Sequence, residues 1–228
     1  MLNASVCRAR RETCGPCPLK NLILMETYIH RFVEGSDPQC APLLLLHRTG
    51  GSEDDLLDFG AKISPGAALL ALRGNVLEDG KPRFFRRVGK GKFDLEDLAL
   101  RTKELAAFID WACGNYNVAR PVAVGFSNGA NIAMSLVMNR PQTLRAAILM
   151  RPMWAYEPQP PSSLGGFPVL VISGSDDTTV RPELAEKTPA FLRRAGAAVD
   201  FHWAAGAHEL VPDDEAIATA WLTQLERA

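Results

Sequence analysis

Long apolar runs are missing from the chain. Those at residues 42–46 and 67–72 fall far short of the roughly 18 residues that a membrane span needs, so no spanning helix is expected. An excess of one charge is missing too: 25 Lys and Arg stand against 26 Asp and Glu, a formal net charge of −1. A near-neutral chain has no basic surplus to neutralise a phosphate backbone, which argues against nucleic acid as a partner. Nor does it carry the charge block of a disordered acidic tail. Cysteines are few and odd in number, five in 228 residues, which excludes a disulfide framework. The start of the chain lacks the 7–15-residue apolar core of an export signal. With no such signal and no paired cysteines, the expected location is the cytoplasm. There is no Gly-x-Gly-x-x-Gly nucleotide loop and no His/Cys/Glu spacing of a catalytic metal site. Hydrophobic residues at 47% and charged residues at 22% are ordinary for a globular protein, leaving an enzyme or a small-ligand binder.

The first 24 residues differ from the rest. Cys14-Gly15-Pro16-Cys17 has the Cys-x-x-Cys form, but a thiol-redox site needs a strand before it and a helix behind it. Here a run containing three arginines (residues 8–11) precedes it and Pro18 follows it. The expectation is a disordered extension over residues 1–24 and a single α/β domain over residues 25–228. That domain opens with Thr27-Tyr28-Ile29-His30-Arg31-Phe32-Val33, which alternates as an edge strand does.

From residue 42 the pattern is strand, loop, helix, repeated. Short continuous apolar runs at residues 43–46, 67–72, 122–124, 146–150 and 169–173 suit strands covered on both faces, and residues 199–204 suit a last strand. Helices are expected over residues 95–113, with Asp94 as cap and Gly114 at the end, over 128–139, over 182–195 with Pro182 in the first turn and Gly196 beyond the end, and over 213–225. Cys113 then reads as a small core residue. Alternation of this kind predicts a mostly parallel central sheet with helices on both faces. Two stretches, residues 75–92 and 151–166, read as long irregular loops of the kind that carry function.

Gly125-Phe126-Ser127-Asn128-Gly129 fits Gly-x-Ser-x-Gly at a strand-to-helix turn. Such a turn holds the serine in a strained conformation, and Cβ atoms on the flanking residues would clash. A helix N-terminus aimed at the hydroxyl favours negative charge there. A serine needs a base to take its proton. Of four histidines, His30 and His202 lie in strands and His47 shapes a loop. His208, in Gly206-Ala207-His208-Glu209-Leu210, emerges after the last strand at the same sheet edge as Ser127 and is the candidate base. The carboxylate that would orient it follows the strand at 169–173, where Asp176 and Asp177 are both available. The order serine, acid, histidine is that of an α/β-hydrolase. The oxyanion hole would use the backbone N–H of Asn128 and one from His47-Arg48-Thr49-Gly50-Gly51, with Thr49 the candidate donor.

These residues resemble the carboxylesterase/phospholipase branch of the α/β-hydrolases, small serine esterases without a large cap domain, and within it the hydrolases linked to quinone response. The resemblance covers residues 42–225. It rests on the 45–51 loop, on Arg73-Gly74-Asn75-Val76-Leu77-Glu78 with Pro82-Arg83-Phe84-Phe85-Arg86-Arg87, on the segment from Gly125 to Asn131, and on the segments holding Asp177 and His208. It implies an α/β-hydrolase fold, no metal or other cofactor, and a small-molecule ester as substrate. Its acid falls on Asp177, its nucleophile on Ser127 and its base on His208. Arg48 stands where the family often has Gly, so its guanidinium either narrows the pocket, attracts a carboxylate-bearing substrate, or faces solvent. Phe84, Phe85, Met153 and Trp154 are candidates for the pocket wall, and a patch at Phe84-Phe85 would offer a homodimer contact. The expected activity is hydrolysis of short carboxylic esters through an acyl-enzyme. Thioester or lysolipid hydrolysis with the same triad is the enzymatic rival, and a ligand binder with a vestigial triad is the other. Ser127 speaks against a dienelactone hydrolase, which would offer a cysteine there.

Overall fold

A computed structural model of the chain describes residues 28–89, 91–154 and 163–227. The expectations for residues 1–24, the Cys14–Cys17 pair among them, for a domain start near Met25, and for the middle of the 151–166 stretch lie outside those residues. In chain order the strands are β1 (His30–Val33), β2 (Leu43–Leu46), β3 (Leu69–Leu72), β4 (Val76–Glu78), β5 (Lys81–Arg83), β6 (Arg87–Gly89), β7 (Lys92–Phe93), β8 (Val122–Phe126), β9 (Ala146–Met150), β10 (Pro168–Gly174) and β11 (Ala198–Ala204). The α-helices are α1 (Leu57–Ile63), α2 (Leu95–Tyr116), α3 (Asn128–Asn139), α4 (Pro182–Ala185), α5 (Lys187–Arg194) and α6 (Pro212–Arg227).

Seven strands form one open sheet in the order β1-β3-β2-β8-β9-β10-β11, with β1 antiparallel at one edge and every other pairing parallel. The leucine run of β2 shows why its sequence does not alternate. Leu44 and Leu46 enter the core on one face, while Leu43 and Leu45 enter that on the other. Both faces are covered, so both residue parities must be apolar. Helices α2, α3 and α5 contribute residues to the first core, and α1 and α6 to the second. Eleven residues of α3 are buried because it packs on the sheet and against α2 at once. Thr102 and Ser135 share a buried hydroxyl–hydroxyl hydrogen bond of 2.7 Å across that helix pair.

Three expectations need correction. Helix α2 starts at its Asp94 cap, whose carboxylate accepts from the Asp97 N–H, but it runs past Gly114 and ends on Asn117 at φ 52°. Asn tolerates that left-handed residue and lets the last turn close. Residues 182–195 form two short helices, α4 and α5, rather than one. Pro189 is the cause: it has no N–H to give the Ala185 carbonyl, and its ring crowds that carbonyl. Residues 75–92 are also not irregular. They fold as two small hairpins, β4–β5 and β6–β7, and the first turns at Asp79-Gly80 with φ of 52° and 73°, the two-residue geometry that Asp-Gly favours.

Cys113 is half-buried at the core margin and donates to the Ala119 carbonyl, and both Cys40 and Cys113 are free thiols. No helix among the described residues is long and apolar enough to cross a membrane.

Candidate active site

The parallel strands all point one way, so the loops after β2, β8, β9, β10 and β11 meet at one edge of the sheet, where open α/β sheets place their ligands. Ser127 stands between β8 and α3 with φ 54° and ψ −108°. Such a conformation costs an L residue about 1–3 kcal/mol. It is held by the Ser127 N–H, which donates to the Met150 carbonyl on β9 at 2.9 Å. The two glycines of the motif are required by close approach. A Cβ on Gly129 would lie 2.0 Å from the Leu46 carbonyl oxygen, and one on Gly125 2.5 Å from the Gly129 oxygen.

The structure brings the three distant segments together. His208 Nε2 is 2.8 Å from Ser127 Oγ, and His208 Nδ1 is 2.6 Å from Asp177 Oδ2. An ionised carboxylate only accepts, so Nδ1 carries the proton and Nε2 is left to accept from the serine hydroxyl. Asp177 is buried, and its other oxygen accepts from the N–H groups of Thr179 and Val180 at 2.7 and 2.8 Å. Asp176 is exposed, and among the described residues its side chain accepts only from the neighbouring Ser175 hydroxyl. Phe126 packs beside the imidazole, with ring centroids 5.7 Å apart.

The loop after β2 is fastened from several sides. His47 is buried and takes the Gly74 N–H on Nε2 at 2.9 Å, which leaves Nδ1–H to donate to the Arg48 carbonyl. Burial pushes the His47 pKa below the ordinary imidazole value, against the smaller upward pull of the Arg48 carbonyl. The Gly50 N–H donates to the Pro82 carbonyl at 2.8 Å, and Arg83 Nη1 donates to Thr49 Oγ1 at 2.6 Å. The Asn128 side chain accepts from the Phe84 N–H at 2.8 Å, and Asn131 accepts from the Met153 N–H at 2.9 Å. The Asn128 N–H, in the first turn of α3, has no intrahelical acceptor. It borders a cavity of about 360 Å³ that Ser127, His208, Thr49, Arg48 and Met153 also line.

The other pocket-wall candidates lie elsewhere. Phe84 and Phe85 are fully buried: Phe84 packs on His47 and Phe85 on Phe93, with centroids 4.8 Å apart in each pair. The hairpin segment folds them inward, so they offer neither a pocket wall nor an apolar surface to a second copy. Trp154 packs on Phe191 at 5.2 Å and does not line the cavity. Arg48 is exposed at the cavity mouth.

Two residues were not singled out from sequence. Arg83 ends β5 with its side chain buried. Arg151 follows β9 at φ 51°, fully buried, and forms a bidentate pair with the buried Asp214 at 2.6 and 3.0 Å. It also donates to the Ala207 and Glu209 carbonyls, at 3.2 and 3.0 Å, on either side of His208. The one local signal for Arg151 is a lone charge directly after a five-residue apolar strand.

No family model matches the chain. It is 44% identical over 181 residues, 78% of this chain and 90% of the relative, to a Bacillus subtilis (strain 168) protein named as a hydrolase, MhqD. The fold is similar to the crystal structure of a Bacillus cereus carboxylesterase, with a TM-score of 0.84 at 39% identity, covering 90% of this chain and 99% of that one. It is also similar to a carboxylesterase from Mesorhizobium loti, with a TM-score of 0.82 at 30% identity, covering 86% and 95%.

Proposed function

The chain belongs to the carboxylesterase-type α/β-hydrolases, and from that premise we propose that it cleaves short carboxylic esters through an acyl-enzyme formed on Ser127. The observation that carries this reading is the unbroken hydrogen-bonded chain Ser127–His208–Asp177, whose Ser127 and His208 line the cavity. Ser127 Oγ attacks the ester carbonyl while His208 Nε2 takes its proton, and Asp177 holds the ring and offsets the charge of the imidazolium. Negative charge then develops on the carbonyl oxygen, where the N–H groups of Asn128 and Thr49 receive it. One such donor is worth about 10²–10³ in kcat. The His208 proton passes to the departing alcohol, which leaves as the acyl–O bond breaks. A water molecule, deprotonated by the same nitrogen, attacks the acyl-enzyme and releases the carboxylic acid.

A cavity of about 360 Å³ is at the small end for ligand sites, which favours short acyl chains. The test is labelling by a fluorophosphonate probe alongside hydrolysis of short nitrophenyl esters. The wild type should label and turn over, and Ser127→Ala should do neither. Equal labelling of Ser127→Ala, or no turnover by a labelled wild type, would overturn the assignment. Faster turnover of matched acyl-thioesters or lysolipids would move the substrate class while leaving the triad in place.

A further inference from the structure

The cavity at Ser127 carries a charge that the chain as a whole does not. The full sequence has a formal net charge of −1, yet the cavity wall holds four cations, Arg48, Lys81, Arg83 and Arg87, against two carboxylates, Glu78 and Asp79. Glu78 is shared between two guanidiniums. One oxygen accepts from Arg87 Nε at 2.8 Å, and the other lies 3.3 Å from Arg83 Nε. Arg48 and Lys81 have no ion-pair partner among the described residues.

Arg83 makes the imbalance costly. It is 3% exposed, and beyond its share of Glu78 it donates to two neutral acceptors, Thr49 Oγ1 at 2.6 Å and the Phe85 carbonyl at 3.2 Å. Its Nη2 has no partner among the described residues. A buried charge held this way is unfavourable unless something else complements it. Burial, and next the Arg87 charge, hold the Arg83 guanidinium below its ordinary range, against the smaller upward pull of Glu78.

Position ties this charge to the reacting group. Lys81 runs beside Gly50, its Cγ and Cδ 3.7 Å from where a Cβ on that glycine would stand. The Gly50 N–H is bonded to Pro82, between Lys81 and Arg83. The β4–β5 hairpin is thus clamped to the Thr49 loop, and its cations border the same cavity as Ser127.

We propose that the ester taken by this site carries an anionic group, a carboxylate, seated against Arg48, Lys81 and Arg83 while its carbonyl lies at Ser127. This rests on the hydrolase reading above and names its substrate class. Hydrolysis breaks the acyl–O bond, with water supplying the hydroxyl of the new acid and the proton of the alcohol, and the anionic group is unchanged. If the cations served only the developing oxyanion, charged and neutral esters would gain equally.

The experiment compares kcat/KM on the full chain for two chain-matched pairs. Monomethyl glutarate against methyl valerate places the charge on the acyl side, and carboxymethyl butyrate against ethyl butyrate places it on the alcohol side. Fluorophosphonate labelling of Ser127 is measured in parallel. The anionic ester of at least one pair should be favoured by about tenfold at low salt, as befits one charge-assisted contact. The ratio should fall towards one in the double variant Arg48→Gln/Lys81→Gln, whose sites are exposed and tolerate change, and in 1 M salt. Labelling with no anionic preference in either pair overturns this proposal and leaves the hydrolase reading standing. A preference that persists undiminished in the double variant and in salt overturns the assignment to these cations. Neither labelling nor turnover overturns both readings.

Discussion

Replacing Arg151 by Met tests how the histidine loop is held. The substitution keeps most of the side-chain volume but removes a guanidinium that is fully buried against an equally buried Asp214. Breaking one side of a buried pair costs about 3–5 kcal/mol, because the surviving charge is left uncompensated. Here Asp214 would keep, among the described residues, only the Val211 N–H, at 2.8 Å, and the Ala207 and Glu209 carbonyls would lose the Arg151 donor. Arg151→Met should therefore lower the unfolding free energy by about 3–5 kcal/mol, a large part of the roughly 5–15 kcal/mol typical of a protein. At about 2–4 °C per kcal/mol for a chain of this size, Tm should drop by about 6–20 °C. Urea unfolding followed by tryptophan fluorescence measures it. The double variant Arg151→Met/Asp214→Leu removes both charges and should recover much of the stability, since apolar replacement of a buried pair is often neutral. Its kcat should stay about 10- to 100-fold low, because the Ala207 and Glu209 carbonyls on either side of His208 still lack the Arg151 donor and a small misplacement is enough to slow catalysis. A single variant within about 1 kcal/mol of wild type, or a double variant with full kcat, would refute the clamp.

Asp177→Asn should fold but lose about 10⁴-fold in kcat, because an amide no longer holds the imidazole in the required tautomer; steady-state assays and a thermal melt check both halves. His47 is neutral when folded and its pKa is lowered, so its share of stability is complete above the ordinary imidazole pKa and is lost as pH falls through the lower folded value. Urea midpoints between about pH 8 and pH 5 should fall less steeply in His47→Gln than in wild type, and parallel slopes would count against this. Gly129→Ala places a methyl group 2.0 Å from the Leu46 carbonyl, so the unfolding free energy should drop by about 2 kcal/mol or more in the same assay.

The strands of the central sheet were legible because burial on both faces imposes uninterrupted apolar runs, as in Leu43–Leu46. The elbow was legible because sharp turns leave local marks, glycines two residues either side of Ser127. The break at Pro189 and the Asp79-Gly80 hairpin also had local marks, hidden beneath a longer helical pattern and a polar composition. Choosing between Asp176 and Asp177 needed the resemblance, since adjacent residues of one type carry no difference in composition; in three dimensions one is exposed and the other lies against His208.

From the order of its residues alone, this chain determined the strands of its central sheet, most of its helices and the turn that presents Ser127, because those depend on neighbours within a few positions. Only the tertiary structure decided that Phe84 and Phe85 turn inward, that Arg83 sits at the cavity, and that Arg151 grips the loop of a histidine 57 positions on. Arg83 reaches Thr49 across 34 residues and Arg151 reaches Ala207 across 56, and the charge of a site formed this way depends on which side chains the fold brings together.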